Sequence, residues 1–354
     1  MTADIALVHD VLGARAGGER VLLALARIFP QAMVYTLLHE PNATFEGFEG
    51  RQVVTSWLQR SAWLRRNYRA ALPVAAPTYS FTKVDAHVTI CSTSGLSHHV
   101  RTTGAKVVYC HTPARWLHDT DTYLSGFGAP LRTAVKAVAP AYKQMDKRAM
   151  ASADRVVANS HQVAAEIAEI YGIKATVISP CSSLSIDGPV QPIPGVESGF
   201  VLSPARPLGY KRLDVLVDAA RQLPDLKVIQ VGEGPHRQAL LDTAPANFQS
   251  VGTVSDAQLR WAYRHAHVVA LTCAEDFGLV PLEAAAHGVH TVAPNARGML
   301  DHNEDMMTRY RFTSVPELVA AITAAPPPTG YFDAQHLGVE RFAEEINEVV
   351  ADVR

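Results

Sequence analysis

Residues 267–288, HVVALTCAEDFGLVPLEAAAHG, restrict the fold more than any other stretch. His267 to Cys273 is a β-branched apolar run of strand length, Ala274 to Val280 a glycine-containing turn, and Pro281 to His287 an Ala-rich helix closed by Gly288. Pro281 suits the first helical position, where its missing N–H would be unpaired anyway, and Gly288 suits the left-handed position past the end. A strand that passes through so short a turn into a helix aims the turn's backbone N–H groups at whatever lies above the strand.

Glu275 and Glu283 bracket this turn with seven residues between them. Carboxylates accept paired hydrogen bonds from vicinal hydroxyls, so a polyol reaching from a sugar to a ribose could bridge the two. Each acid alone also has a plain reading, Glu283 complementing the helix dipole and Glu275 a solvated loop residue.

The segment EDFGLVPLE resembles the E-x7-E signature of retaining GT-B glycosyltransferases of family 4, a group that includes bacterial O-antigen and exopolysaccharide mannosyltransferases. That resemblance implies an α/β chain of two Rossmann-like domains facing each other across a cleft. It implies that Glu275 contacts the donor sugar, that Glu283 contacts the ribose, and that the backbone of Phe277, Gly278, Leu279 and Val280 faces sugar and phosphate.

A chain of 354 residues is comfortable for two domains of ordinary size. With 48% hydrophobic and 19% charged residues it reads as globular, and a net charge of −2 gives no overall attraction to nucleic acid. Cys91, Cys110, Cys181 and Cys273 are scattered through apolar runs, so buried thiols are expected rather than a disulfide framework or a metal site. MTADIALVHD carries Asp4 and Asp10 where a signal peptide needs a basic start and an unbroken apolar core, and no run reaches transmembrane length. The expected location is cytoplasmic.

Ile5 to Val11 reads as a strand, Leu12 to Gly18 as a Gly-rich loop, and Arg20 to Phe29 as an amphipathic helix. GARAGGER is not a dinucleotide fingerprint, which argues against a nicotinamide dehydrogenase. Gly17, Gly18 and Glu19 resemble the family's GG-x-E loop under the donor phosphate, and equally fit a plain turn that needs glycine. Residues 111–116, HTPARW, resemble the H-T-P-x-R-[YW] motif of the O-antigen branch. By that likeness His111 positions the sugar and the acceptor, and Arg115 and Trp116 fall on the acceptor side, where Asp10 at the end of the first strand is also expected.

Arg206 and Lys211, in an R-x4-K pattern before a helix, are spaced to converge on one pyrophosphate, and the pattern matches the family's cation clamp. The GxGP turn at Gly232 and Gly234 resembles the turn flanking the nucleotide, and Val251 and Gly252 fall in the region whose backbone reads the base. Two departures stand out: Pro180-Cys181-Ser182-Ser183 replaces the usual P-P-V-D, and Arg297 stands where relatives have Gly-Gly.

Between Glu49 and Asp85 there is no acidic residue, and residues 57–69 combine Arg60, Arg65, Arg66 and Arg69 with Trp57 and Trp63. A basic amphipathic helix there fits an anionic bilayer surface at the inner face of the plasma membrane, or a solvated helix packed on its own domain. LSIDGPVQPIPGVES lacks periodicity and reads as a linker. The expected organisation is an acceptor-side domain over 1–186, a linker over 187–198, a nucleotide-sugar domain over 199–334, and a helix over 335–354 packing back on the first domain.

The function expected is metal-independent, retaining transfer of a sugar to a glycan or lipid-linked acceptor hydroxyl, with no cofactor beyond the donor, and with GDP-mannose favoured over UDP-sugars. A catalytically silent nucleotide-binding partner of another transferase is the competing class.

Overall fold

The computed structural model describes residues 3–123, 128–181, 184–302, 304–328 and 338–354. The chain divides into two compact units, Met1–Ser183 with Val339–Arg354, and Leu184–Gly338. Strands are numbered in chain order.

The first unit contains β1 (Ala3–His9), β2 (Met33–Thr36), β3 (Val53–Thr55), β4 (Lys83–Val84), β5 (Ala86–Thr93), β6 (Arg101–Thr102), β7 (Ala105–Cys110), β8 (Arg155–Ala158) and β9 (Thr176–Val177). Its described residues form a seven-stranded parallel sheet in the order β3-β2-β1-β5-β7-β8-β9, with β4 and β6 paired separately. Because side chains alternate across a strand, a sheet covered on both faces needs apolar residues at successive positions. In β1, Ala6 and Val8 enter one core while Ile5 and Leu7 enter the core on the other face.

The helix Val339–Ala351 closes the second of these cores. Phe342, Ile346 and Val350, one helical turn apart, are all buried there, with the Phe342 ring edge-on to Tyr109 at 5.8 Å. At about 1.5–3 kcal/mol for each buried side chain, these three anchors tie the chain's end to its first strand region. Residues 335–337 of the expected helix lie outside the described residues.

The second unit is a six-stranded parallel sheet in the order β12-β11-β10-β13-β14-β15 among the described residues. Its strands are β10 (Phe200–Ser203), β11 (Val228–Gln230), β12 (Phe248–Ser250), β13 (Ala266–Ala270), β14 (Thr291–Pro294) and β15 (Met307–Tyr310). Val201 and Val268 face one core, Leu202 and Val269 the other.

Two expectations need correction. Residues 187–198 are no free linker: Leu184, Ile193 and Val196 are buried in the second unit's core, and Gln191 N–H donates to Ala257 O at 3.1 Å. The Arg260 guanidinium donates to the carbonyls of Pro189 (2.8 Å) and Ser185 (3.3 Å), and Arg264 donates to that of Ile186 (2.7 Å). Carbonyls without a ladder are thus satisfied by two arginines on the helix Asp256–His265. A side chain on Gly188 would run into the Arg260 guanidinium, its Cβ only 2.3 Å from Cζ.

The basic segment is likewise no continuous helix. It breaks into Trp57–Arg60, Ala62–Arg66 and Tyr68–Ala71. The cause is local: Ser56 and Ser61 each cap a new start, and the Asn67 side chain returns to Trp63 O at 3.0 Å and ends the middle piece. Part of the charge is spent internally, since Arg65 meets Glu40 at 3.3 Å and Arg51 donates to Ala26 O at 2.7 Å at the end of the first helix. Trp57 and Trp63 remain 65% and 62% exposed.

Candidate active site

In an open parallel sheet, ligands bind at the carboxyl ends of strands where the strand order reverses. That point lies between β10 and β13 in the second unit and between β1 and β5 in the first. Candidate residues gather at both, and each group is described within its own unit.

In the second unit β10 leads to the short helix Gly209–Lys211, and β13 leads through Thr272 and Cys273 to Glu275. Lys211 Nζ contacts Glu275 Oε1, so the pair joins the two strand ends on either side of the reversal. Thr272 Oγ1 donates to Lys211 O at 2.7 Å and fixes the lysine's backbone, while Cys273 Sγ–H donates to Glu275 Oε1 at 3.1 Å. Burial pushes the Glu275 carboxyl up, but Lys211 and the thiol outweigh it and hold it below the usual range. Burial and the nearby carboxylate push the Cys273 thiol up, which keeps it a donor. Burial disfavours the Lys211 ammonium, Glu275 more than compensates, and the lysine stays charged.

The helix after this turn is Leu279–Ala286, so it begins two residues before the expected Pro281 and places Glu283 in its second turn. Gly278 caps it at φ +88°, and a Cβ there would lie 2.2 Å from Met299 Cε. Only glycine meets both conditions. The first-turn N–H groups of Leu279 and Val280 have no acceptor within the helix, and Pro281, third in the helix, has none to offer. Glu283 is 5% exposed, and its Oε2 accepts from Tyr263 Oη at 2.7 Å. Tyr263 stacks on His287, whose Nδ1 lies 2.7 Å from Glu283 O. The second acid is therefore a buried, oriented carboxylate rather than a solvated dipole partner.

Arg206 follows β10, and its Nε donates to Glu233 O at 3.3 Å in the turn after β11. Gly232, at φ +121°, and Gly234 pack on the backbone of Arg206 and Pro207, where a Cβ on Gly234 would meet Pro207 O at 2.4 Å. Gly232 N–H donates to Gly252 O at 2.7 Å, which brings the turn after β12 alongside. The ends of β10, β11, β12 and β13 thus present Arg206, the GxG turn, Val251 with Gly252, and Glu275 along one edge of one sheet. Arg297 sits at φ +54°, a left-handed position where glycine is unstrained, and its guanidinium meets Asp276 at 2.5 Å. It therefore braces the turn through Asp276.

In the first unit Asp10 follows β1. Its Oδ1 accepts from Ser97 N (2.7 Å) and Thr93 Oγ1 (3.2 Å) and its Oδ2 from Ser94 N (2.8 Å), so it anchors the turn after β5. His111, immediately after β7, places Nε2 2.7 Å from Ser92 Oγ, and Ser92 Oγ lies 3.0 Å from His9 Nδ1. The three stand at the ends of adjacent strands β1, β5 and β7. A Cβ on Gly18 would lie 3.4 Å from the His9 ring and 3.8 Å from that of His111. Gly17 and Gly18 open the helix Gly17–Ile28 rather than forming a loop before it.

The link from His9 through Ser92 to His111 was not expected from sequence. Its only sequence sign is that His9 and Ser92 occupy polar positions at the ends of otherwise apolar strands. Arg115 Nε lies 3.3 Å from Thr112 Oγ1. Trp116, assigned to the acceptor side, is 2% exposed and packs edge-on against Tyr142 in the core, so it lines no surface.

Residues 199–325, all within the second unit, match the family model described as glycosyl transferases group 1. No curated protein matches the chain by sequence. Among solved structures, sucrose-phosphate synthase from Thermosynechococcus elongatus is 16% identical, with a TM-score of 0.69 and 98% of each chain covered. HepE from Anabaena, in complex with UDP and glucose, is 17% identical at a TM-score of 0.66, with 99% of each covered. The lipopolysaccharide outer core galactosyltransferase WaaB is 14% identical at a TM-score of 0.59, again with 99% of each covered. The fold is GT-B. Among the described residues no helix is long and apolar enough to cross a membrane.

Proposed function

We propose that the chain is a retaining glycosyltransferase of the family 4 type, which moves a sugar from a nucleoside-diphosphate sugar to a glycan or lipid-linked hydroxyl at the cytoplasmic side of a membrane. The observation that carries this reading is the Lys211–Glu275 pair across the reversal of the second sheet, with Arg206 and the GxG turn on the same edge. A cation and a carboxylate side by side match a ligand whose diphosphate is anionic and whose neighbouring sugar carries hydroxyl donors.

In this reading Arg206, Lys211 and the amides of residues 277–280 stabilise the departing diphosphate, while Glu275 accepts from sugar hydroxyls and the buried Glu283 from the ribose. The anomeric C–O bond breaks toward phosphate, the acceptor oxygen bonds to the same face, and the acceptor's proton passes to the leaving phosphate oxygen. Charge on the diphosphate is met by side chains and amides, without a metal ion. His111, oriented by Ser92, positions the sugar, and Arg115 and Asp10 serve the acceptor side, Asp10 by holding the 93–97 turn in place. The HTPARW segment favours GDP-mannose, and the UDP and glucose in the HepE complex make UDP-glucose the second donor to test.

Trp57, Trp63 and Phe81, the last 80% exposed, support contact with an anionic bilayer alongside Arg60, Arg66 and Arg69. Trp57, Val74, Pro77 and Phe81 also line a groove of about 430 Å³.

The test is incubation of the full chain with isotope-labelled GDP-mannose and UDP-glucose, following release of nucleoside diphosphate and the anomeric configuration of the product. Slow hydrolysis or transfer with retention is expected. Tight donor binding with neither would leave a silent nucleotide-binding module, and inversion would remove the front-face mechanism.

A further inference from the structure

Beneath the turn that holds Asp10, the first unit contains a buried cluster that the transfer reading does not use. Asp146, on the helix Ala129–Ala151, has no exposed side-chain surface. Its Oδ1 lies 2.8 Å from His98 Nε2 and 3.4 Å from His99 Nε2, both on the short helix Ser97–His99. Its Oδ2 accepts from Tyr171 Oη at 2.7 Å and lies 3.1 Å from His118 Nε2.

We propose that His98, His99 and Asp146 bind one divalent transition-metal ion, zinc by ligand chemistry, in a structural site.

Two observations carry this. First, the ligand atoms of the three residues all lie within 4.8 Å of one another, in a pocket of the core where every member is buried. In a tetrahedral site with bonds of about 2.0–2.1 Å, neighbouring ligand atoms stand roughly 3.3 Å apart. The 3.4 Å separation matches that spacing, and the 2.8 Å one is about half an ångström short of it.

Second, His99 is 1% exposed at its side chain, yet Nδ1 has no hydrogen-bond partner and Nε2 has only a long approach to Asp146 Oδ1 at 3.4 Å. A buried polar group left in that condition costs of order 1–3 kcal/mol and calls for an occupant. An ion beside Nε2 supplies one.

The surroundings match those of a metal-ligating imidazole, whose other nitrogen is held by an oriented partner. Thr93 holds His98, and His118 with Tyr171 holds the carboxylate oxygen turned away from the ion. Two imidazoles and a carboxylate suit zinc among the common divalent ions. The ion would pin the turn that carries Ser94 and Ser97, whose amides hold Asp10, to the 23-residue helix Ala129–Ala151.

The full chain should be stripped with EDTA, reloaded with Zn²⁺, passed through gel filtration and analysed for metal by mass spectrometry, with and without His99→Ala. Wild type should retain about one ion per chain and melt several degrees higher when loaded, since an ion that binds only the folded state stabilises it. His99→Ala leaves the bonds from His98, His118 and Tyr171 to Asp146 in place, so it should fold, lose the ion and become insensitive to EDTA. Cobalt loading of wild type gives a reading that needs no variant, because tetrahedral Co²⁺ bound by nitrogen and oxygen shows intense visible bands. Wild type that holds no zinc and melts identically with and without it, or His99→Ala that binds as wild type does, overturns the site.

Discussion

Glu275→Ala separates the two jobs assigned to that carboxylate. In the free protein it faces Lys211, with side-chain exposures of 26% and 15%. Removing one member of a fully buried pair costs about 3–5 kcal/mol, and an exposed pair is worth about 0–1. The partial exposure here places the loss at roughly 2–3 kcal/mol, or a fall in Tm of about 5–10 °C at the 2–4 °C per kcal/mol typical of units this size.

The effect on turnover is a separate quantity. Losing one contact made in the transition state lowers kcat by roughly a hundredfold to a thousandfold. Replacing both partners, Lys211→Met with Glu275→Leu, should recover most of the stability, because no unpaired charge remains, and none of the turnover. Differential scanning calorimetry and labelled-donor release on the same samples read the two effects. A Glu275→Ala protein with near-normal turnover would refute the assigned contact, and one with unchanged Tm would refute the pairing.

Gly278→Ala must place a methyl against Met299 at positive φ, so it should destabilise the second unit by about 2 kcal/mol or more and cut donor binding, checked by urea unfolding and calorimetry. Ser92→Ala removes the hydroxyl between His9 and His111 and should lower kcat about tenfold while shifting its pH profile, with KM for the donor nearly unchanged. Stability should fall as pH drops below about 6.5, because burial holds His9, His287 and His302 below their ordinary value and the unfolded chain takes up protons first. Glu275, whose pKa is depressed, adds its loss only below about pH 4.5, so urea midpoints at pH 7.5 and 5.5 isolate the histidines. Replacing both Trp57 and Trp63 by Ser should weaken sedimentation with phosphatidylserine vesicles and spare vesicle-free activity.

The parallel sheets were legible because their strands are continuous apolar runs, and the strand–turn–helix at 267–288 because its glycines and proline punctuate it. Both glutamates were singled out by their spacing together with the resemblance it carries, but their environments were not legible. That Glu283 is buried under Tyr263 depends on the preceding helix Asp256–His265, and that Glu275 meets Lys211 depends on strand order, which no local pattern encodes. Trp116 misled for the converse reason: a motif places a residue in sequence, while the Tyr142 ring that covers it comes from a helix downstream. The Pro-rich stretch at 184–198 read as a linker because its satisfaction lies in Arg260 and Arg264, some seventy residues later. The helix expected over 57–69 failed at Ser61 and Asn67, whose side chains compete for the backbone at single positions that periodicity averages over.

The central claim is that the second unit grips a nucleoside diphosphate with Arg206 and Lys211. Isothermal titration of the full chain with GDP and with UDP tests it most directly. The account predicts saturable binding of at least one of them, weakened at least about tenfold by Lys211→Met, the scale of 1.4 kcal/mol. Binding of neither at millimolar concentration, or equal binding by the Lys211→Met protein, would contradict it.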